Sequence, residues 1–328
     1  MLDATSQQLL DAIREERGND RIEWATLPEP LVGGFSNQMW RLAVKGDDEL
    51  AGTLVGRVLP DADIAPREIA VQTYLADVGF ATPAVRLSGA PGQHLNHAWM
   101  LMDHVAGTPL LADLSGPSAL ARLPGLTQTI PSTLARCAAS LHSYDARPLA
   151  ESLGTSNDVL DFLTHMRDRM IASNRTELVA LANDLLATQP DSDRLVVCHG
   201  DLHPFNVLAG PKGVTVIDWT TAQRADPAYD LAFTNLLLTH PPLDTPRALR
   251  PIMTRAGRSL GRRFLDSYCD QTNFRIDPDT LNWFTLFSSL RILVEISNLR
   301  ADGHDDPRSH PFIDMEPVLQ RLIEAQRS

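Results

Sequence analysis

Apolar runs of strand length crowd the first third of this chain, and apolar residues at helical spacing fill the rest. The segment LVGGFSNQMWRLAVKGDDELAGTLVGRVL, residues 31–59, reads as strand, glycine turn, strand, KGDD turn, strand. A helix over about residues 3–17 precedes it. APREIAVQTYLADVG carries helical periodicity that Gly79 ends, and PAVRLSG and HAWMLMDHV read as two more strands. Beyond AGTPL the pattern changes. PSTLARCAASLHSYD, NDVLDFLTHMRDRMIAS and RTELVALANDLLATQ are helical, RLVVCHG is a short strand, and helices dominate from Pro227 onward. Strands that are not each followed by a helix exclude a regular alternating βαβ chain. The order predicts an α+β, two-lobed protein. Residues 1–105 form a small lobe with an antiparallel sheet, and residues 106–328 form a larger, mainly helical lobe.

Composition narrows the partners. A formal net charge of −12 argues against broad binding of nucleic acid or anionic membrane, and is compatible with a cationic substrate. No apolar run reaches the length of a membrane span. The opening MLDATSQQLLDAIREERGND reads as an amphipathic helix, without the basic start and apolar stretch of a signal peptide, so a cytoplasmic protein is expected. Cys137, Cys198 and Cys269 are far apart and odd in number, which fits neither a disulfide framework nor a zinc pattern.

The densest chemistry lies in CHGDLHPFNVLAGPKGVTVIDW, residues 198–219. His199 and His203 have the spacing of two metal ligands on one helix face. Gly200 and Pro204 make a continuous helix there untenable, and no third ligand sits at a zinc spacing. The alternative is strand, loop, strand, turn, strand. This places Asn206 and Asp218 at equivalent ends of a tight hairpin, where their hard oxygen atoms suit Mg²⁺. Asp201 lies across the loop. A carboxylate beside a metal-bound triphosphate can accept the proton of an incoming hydroxyl.

These residues carry a family resemblance. Asp201 and Asn206 reproduce the D-x-x-x-x-N spacing of the kinase catalytic loop. HGDLHPFN followed by VIDW resembles the aminoglycoside phosphotransferase/choline kinase family, which has a protein-kinase-like fold and phosphorylates hydroxyls of small molecules. The resemblance implies that Asp201 is the catalytic base or orients the substrate hydroxyl, and that Asn206 and Asp218 hold Mg²⁺. It implies supporting roles for His199, which braces the loop, for His203, and for Asp230 in DPAYDLA. It extends to the nucleotide. LVGGFSNQMWRL resembles the phosphate-covering hairpin, with Gly33, Gly34, Ser36 and Asn37 as its contacts. No lysine stands on the GTLVGRVL strand, where protein kinases place one, but Arg57 does, and Glu68 is the helix carboxylate to pair with it. WMLMDHVAG resembles the hinge, whose backbone from Met102 to His104 would face adenine without distinguishing ATP from GTP. The stretch TTAQRADPAYD is too short for a long activation segment.

The phosphate acceptor is not legible. Asp266, Asp270, Asp277 and Asp279 could hold an amino sugar; Tyr268, Phe274, Trp283 and Phe287 could meet a macrolide, although such aromatics are more often core. Glu295, in an apolar helix, needs a partner if buried, and Arg291 at i−4 could supply it. The reading is thus an ATP- or GTP- and Mg²⁺-dependent phosphotransferase acting on a small-molecule hydroxyl. The alternatives are a catalytically silent nucleotide-binding protein of the same fold and a metal-dependent hydrolase using His199, His203 and Asp218.

Overall fold

The computed structural model describes residues 4–31, 38–111, 117–153, 159–172, 175–242, 250–301, 303 and 310–327. Helix α1 (Ala4–Arg17) precedes β1 (Glu23–Pro30), β2 (Gln38–Lys45), β3 (Leu54–Leu59), α2 (Ala65–Asp77), β4 (Val85–Gly89) and β5 (Ala98–Asp103). The short β6 (Thr108–Pro109) leads to α3 (Pro117–Leu141), α4 (Arg147–Leu153), α5 (Val159–Ala172) and α6 (Thr176–Ala187). Four short strands follow: β7 (Val196–Cys198), β8 (Val207–Gly210), β9 (Gly213–Val216) and β10 (Gln223–Ala225). Helices α7 (Ala228–Thr239), α8 (Arg250–Thr272), α9 (Pro278–Ala301) and α10 (Glu316–Arg327) complete the order. The chain forms two compact units, residues 1–110 with 206–222, and residues 111–205 with 223–328.

The first unit is built on a five-stranded sheet in the order β1-β2-β3-β5-β4, with antiparallel neighbours. β5 explains why its sequence is almost wholly apolar. Trp99 and Leu101 join a core with Leu9 and Ile13 of α1, while Ala98 and Met100 join a second core with Ala65 of α2. A strand covered on both faces loses the alternation of a half-exposed one. The sheet also starts earlier than the apolar pattern suggests. β1 runs through Glu23–Pro30, whose residues are exposed or half-buried, and it pairs with β2 through two register shifts. An edge strand tolerates proline and shows little apolar periodicity, which is why EWATLPEP does not announce itself. The hairpin β8–β9 belongs to this unit and pairs with β6 through Thr108↔Ala209 and Pro109↔Leu208.

The second unit is helical around one core. α7 is buried on nearly all sides, so it lacks an amphipathic stripe. Trp283, Phe284 and Phe287 of α9 pack against it, with Trp283 and Phe287 stacked at 5.8 Å. Tyr268 is fully buried, and Phe274 lies under the Arg194 guanidinium. The aromatic residues considered for a macrolide are therefore structural at Tyr268, Trp283 and Phe287. Glu295, expected to need a buried partner, is exposed, and Arg291 turns elsewhere. No helix among the described residues is long and apolar enough to cross a membrane.

Candidate functional site

In the second unit the segment 199–205 leaves β7 through Gly200, whose φ of 77° lies in the left-handed region that glycine enters without strain. Asp230, in the first turn of α7, anchors this turn. Its carboxylate accepts hydrogen bonds from the backbone N–H of His199 at 2.9 Å and of Gly200 at 2.5 Å. Its third partner is His142 Nε2, at 3.0 Å. On the far side of the ring, Nδ1 lies 2.8 Å from the Tyr268 hydroxyl. Burial pushes the Tyr268 phenol up, so it keeps its proton and donates it to Nδ1. Nε2–H is then the donor to Asp230. Burial works against an ionised Asp230, but the His142 hydrogen bond and the His142 and His199 rings outweigh it and hold the carboxyl below its usual range. The loop is tied again at Leu202, whose carbonyl accepts from Thr234 Oγ1 at 2.7 Å.

Asp201 emerges from this frame with its side chain 23% exposed. Its N–H donates to His199 Nδ1 at 3.2 Å, so the fully buried His199 ring fills the inside of the turn. One carboxylate oxygen lies 3.4 Å from His203 Nε2 and the other 3.8 Å from Arg291 Nη2. His203 Nδ1 accepts from the Phe205 N–H, which puts the ring proton on Nε2, toward Asp201. Burial alone would raise the Asp201 pKa; His203, Arg291 and His199 reverse it, and the group is held below the usual range. Arg291, on α9, stacks 4.2 Å over the Phe233 ring and donates from Nη1 to the Tyr229 hydroxyl at 3.3 Å.

In the first unit Arg57, on the central strand β3, donates to Glu68 of α2 at 2.5 Å. Both side chains are buried, and Glu68 Oε2 has no hydrogen-bond partner. Burial raises the Glu68 pKa to about 7, with Arg57 opposing and Asp218 reinforcing. Arg57 Nη2 lies 3.5 Å from Asp218 Oδ1, which also accepts from Thr220 Oγ1 at 3.1 Å. Asp218 follows β9 with φ of 69°, a conformation uncommon for any residue but glycine. Trp219 is fully buried, with its Nε1 donating to Thr82. The hairpin register Val207↔Val216 brings Asn206 to the same end, where its carbonyl accepts from the Ile217 N–H at 3.0 Å. Met102 and His104 stand at the end of β5 and just past it. The N–H groups of Asp103 and His104 donate to Ala84 and Thr53. Gly33, Gly34, Ser36 and Asn37 lie outside the described residues.

The structure thus groups Arg57, Glu68, Asp218 and the Asn206 end of the hairpin in one unit. It groups His199, Asp201, His203 and Asp230 in the other. Sequence reasoning missed His142 and gave Tyr268 and Arg291 roles other than those they have in the structure. An arginine in the apolar run SSLRILVEI was a signal, but it pointed toward Glu295. Among the described residues only His142, Cys198 and Asp230 bring three ligating atoms within 4.8 Å of one another. Both His142 nitrogens are hydrogen-bonded, and burial pushes the Cys198 thiol well up, so the thiol keeps its proton and the cluster is a hydrogen-bonded one rather than a zinc centre.

Residues 28–268 match the model of the APH family, described as the phosphotransferase enzyme family. A curated relative from Rattus norvegicus, acyl-CoA dehydrogenase family member 11, is 27% identical over 238 residues, covering 70% of this chain and 30% of its own length. The chain therefore corresponds to under a third of that relative. Among solved structures, aminoglycoside-3'-phosphotransferase of type VIII is similar with a TM-score of 0.56 at 24% identity, covering 86% of this chain and 99% of its own. The GDP and kanamycin complex of APH(2")-IIia gives 0.58 at 18% identity, covering 98% and 99%.

Proposed function

This chain belongs to the phosphotransferase enzyme family, and on that premise we propose that it transfers the γ-phosphoryl group of ATP or GTP to a hydroxyl of a small molecule. The observation that carries the reading is Asp201: an ionised, part-exposed carboxylate on a loop whose backbone is fixed by the buried Asp230. In the proposed step the acceptor oxygen bonds to the γ-phosphorus while the bond from that phosphorus to the β–γ bridging oxygen breaks. The nucleoside diphosphate leaves, and the hydroxyl proton passes to Asp201. A carboxyl held below its usual range is a weak base. Its main contribution is to orient the hydroxyl before transfer and take the proton late.

Asn206 and Asp218 are proposed to hold Mg²⁺. They supply hard oxygen donors, and Asp218 Oδ2 makes no hydrogen bond among the described residues, which leaves it open to a cation. A bound Mg²⁺ neutralises phosphate charge. Arg57, oriented by Glu68, is proposed to face the phosphates; Gly33, Gly34, Ser36 and Asn37, outside the described residues, are the further proposed phosphate contacts. The backbone from Met102 to His104 is proposed to face adenine.

The neighbour named above was solved with GDP and kanamycin, and another structure of similar fold is a macrolide 2'-phosphotransferase. The curated relatives are named for acyl-CoA. Aminoglycosides, macrolides and hydroxylated acyl-CoA thioesters therefore head the acceptor panel. The test is transfer of label from γ-labelled ATP, with Mg²⁺, to members of that panel. Asp201→Asn should slow transfer by about 10²–10⁴-fold while nucleotide binding persists. Transfer at the wild-type rate in that variant would sink the reading.

A further inference from the structure

Arg291 has more hydrogen-bonding capacity than its surroundings use. Its side chain is only 13% exposed, and its guanidinium is held flat by Phe233. A guanidinium offers five N–H donors. Here one reaches the Tyr229 hydroxyl, and Nη2 stands 3.8 Å from Asp201, beyond hydrogen-bonding distance. Neither Nε nor Nη2 is among the buried polar atoms that lack a partner, so both are reachable from solvent. Two donor nitrogens on a rigid, stacked cation therefore lie open beside the carboxylate that is proposed to receive the acceptor hydroxyl.

Among the groups that bear on Asp201 besides Arg291, His203, His199 and His310 are each neutral or cationic. The acids that the sequence offered for a cationic acceptor lie at the surface. Asp266, Asp270, Asp277 and Asp279 are exposed, and Asp277 accepts from Thr280 at the start of α9. A cationic acceptor would meet Arg291 as a like charge close to its reacting oxygen. An anionic one would fill the open donors, in the planar geometry that guanidinium shares with carboxylate and phosphate.

We propose that Arg291 is the acceptor-specificity residue, and that the acceptor carries an anionic oxygen group, a carboxylate or a phosphate ester, close to the hydroxyl that is phosphorylated. This rests on the phosphotransferase reading above. Phe233 and Tyr229 hold the guanidinium in place, Arg291 takes the anion, and Asp201 takes the hydroxyl.

The experiment uses matched acceptor pairs with γ-labelled ATP and Mg²⁺: hydroxy acids against their amides, sugar phosphates against the free sugars, and kanamycin and choline as the cationic arm. Wild type, Arg291→Gln and Arg291→Lys are compared. The expected result is transfer to an anionic member at least about tenfold more efficiently than to its neutral partner; whether hydroxy acid or sugar phosphate wins identifies the source of the anion. Arg291→Gln should raise KM for that acceptor by about 10- to 100-fold and erase the discrimination, with KM for ATP unchanged. Arg291→Lys should recover part of it. The proposal is overturned if neutral or cationic acceptors serve as well as anionic ones. It is equally overturned if Arg291→Gln lowers kcat for all acceptors alike, which is the mark of a residue that only braces Asp201, or if no anionic member reacts while Mg²⁺·ATP still raises the melting temperature. Loss of Mg²⁺·ATP binding itself would instead count against the phosphotransferase reading.

Discussion

Glu68 is the residue whose chemistry is set most completely by its burial. Its carboxyl is raised from 4.5 to about 7 although Arg57 touches it, because desolvation outweighs the single ion pair. Through that interval the native state keeps a proton that the unfolded chain has released. The stabilisation is fully present at the acid end of the interval and is lost as pH rises through about 7. Glu68→Gln should therefore show a smaller fall in melting temperature than wild type between about pH 5 and about pH 8, and equal slopes would show that Glu68 is ionised throughout. His142 is a second case. His142→Ala takes a donor from the buried Asp230 and a partner from Tyr268, and should cost roughly 2–4 kcal/mol in urea denaturation. The two kinds of residue differ in how far the sequence exposes them. Asp201, Asn206 and Asp218 stand in one short segment whose spacing points to chemistry. His142, Asp230 and Tyr268 meet across 88 and 126 residues of chain, and only tertiary packing brings them together.

At the scale of elements, the local patterns were strong where at least one face is buried and weak where neither is. Helix α2 and strands β2, β4 and β5 fall where periodicity and turn residues place them. β1 does not, because an exposed, proline-bearing edge strand leaves no alternation to read. The grouping of the β8–β9 hairpin with the first unit is also a tertiary property that no local pattern carries. Helix pairing in the second unit depends on close approach. A Cβ on Gly257 of α8 would lie 2.3 Å from the Thr239 carbonyl oxygen of α7, against backbone that cannot yield cheaply. In an isolated helix Gly257→Ala would stabilise by about 0.5–1 kcal/mol. Here the clash reverses the sign, and a loss of roughly 1–3 kcal/mol is expected in chemical denaturation. A neutral or stabilising result would mean that α7 and α8 separate more easily than their packing indicates.

For the whole molecule, the strand-first, helix-later order already predicted a two-part α+β chain, and family membership and the solved neighbours give it a protein-kinase-like fold. The fold does not fix the acceptor, since one architecture serves many substrates. The central proposal is narrower: the Asn206 end of the hairpin and Asp218 are proposed to hold a metal–nucleotide complex. It is tested most directly by the melting temperature under titration with Mg²⁺·ATP, Mg²⁺·GTP and Zn²⁺, on wild type and on Asp218→Asn. Asparagine tolerates the left-handed backbone at this position while removing the charge. Ligand at about a hundred times its Kd stabilises by about 2.7 kcal/mol. The account predicts a Mg²⁺-dependent nucleotide shift in wild type that is lost in Asp218→Asn. A shift with Zn²⁺ and none with either nucleotide would contradict it.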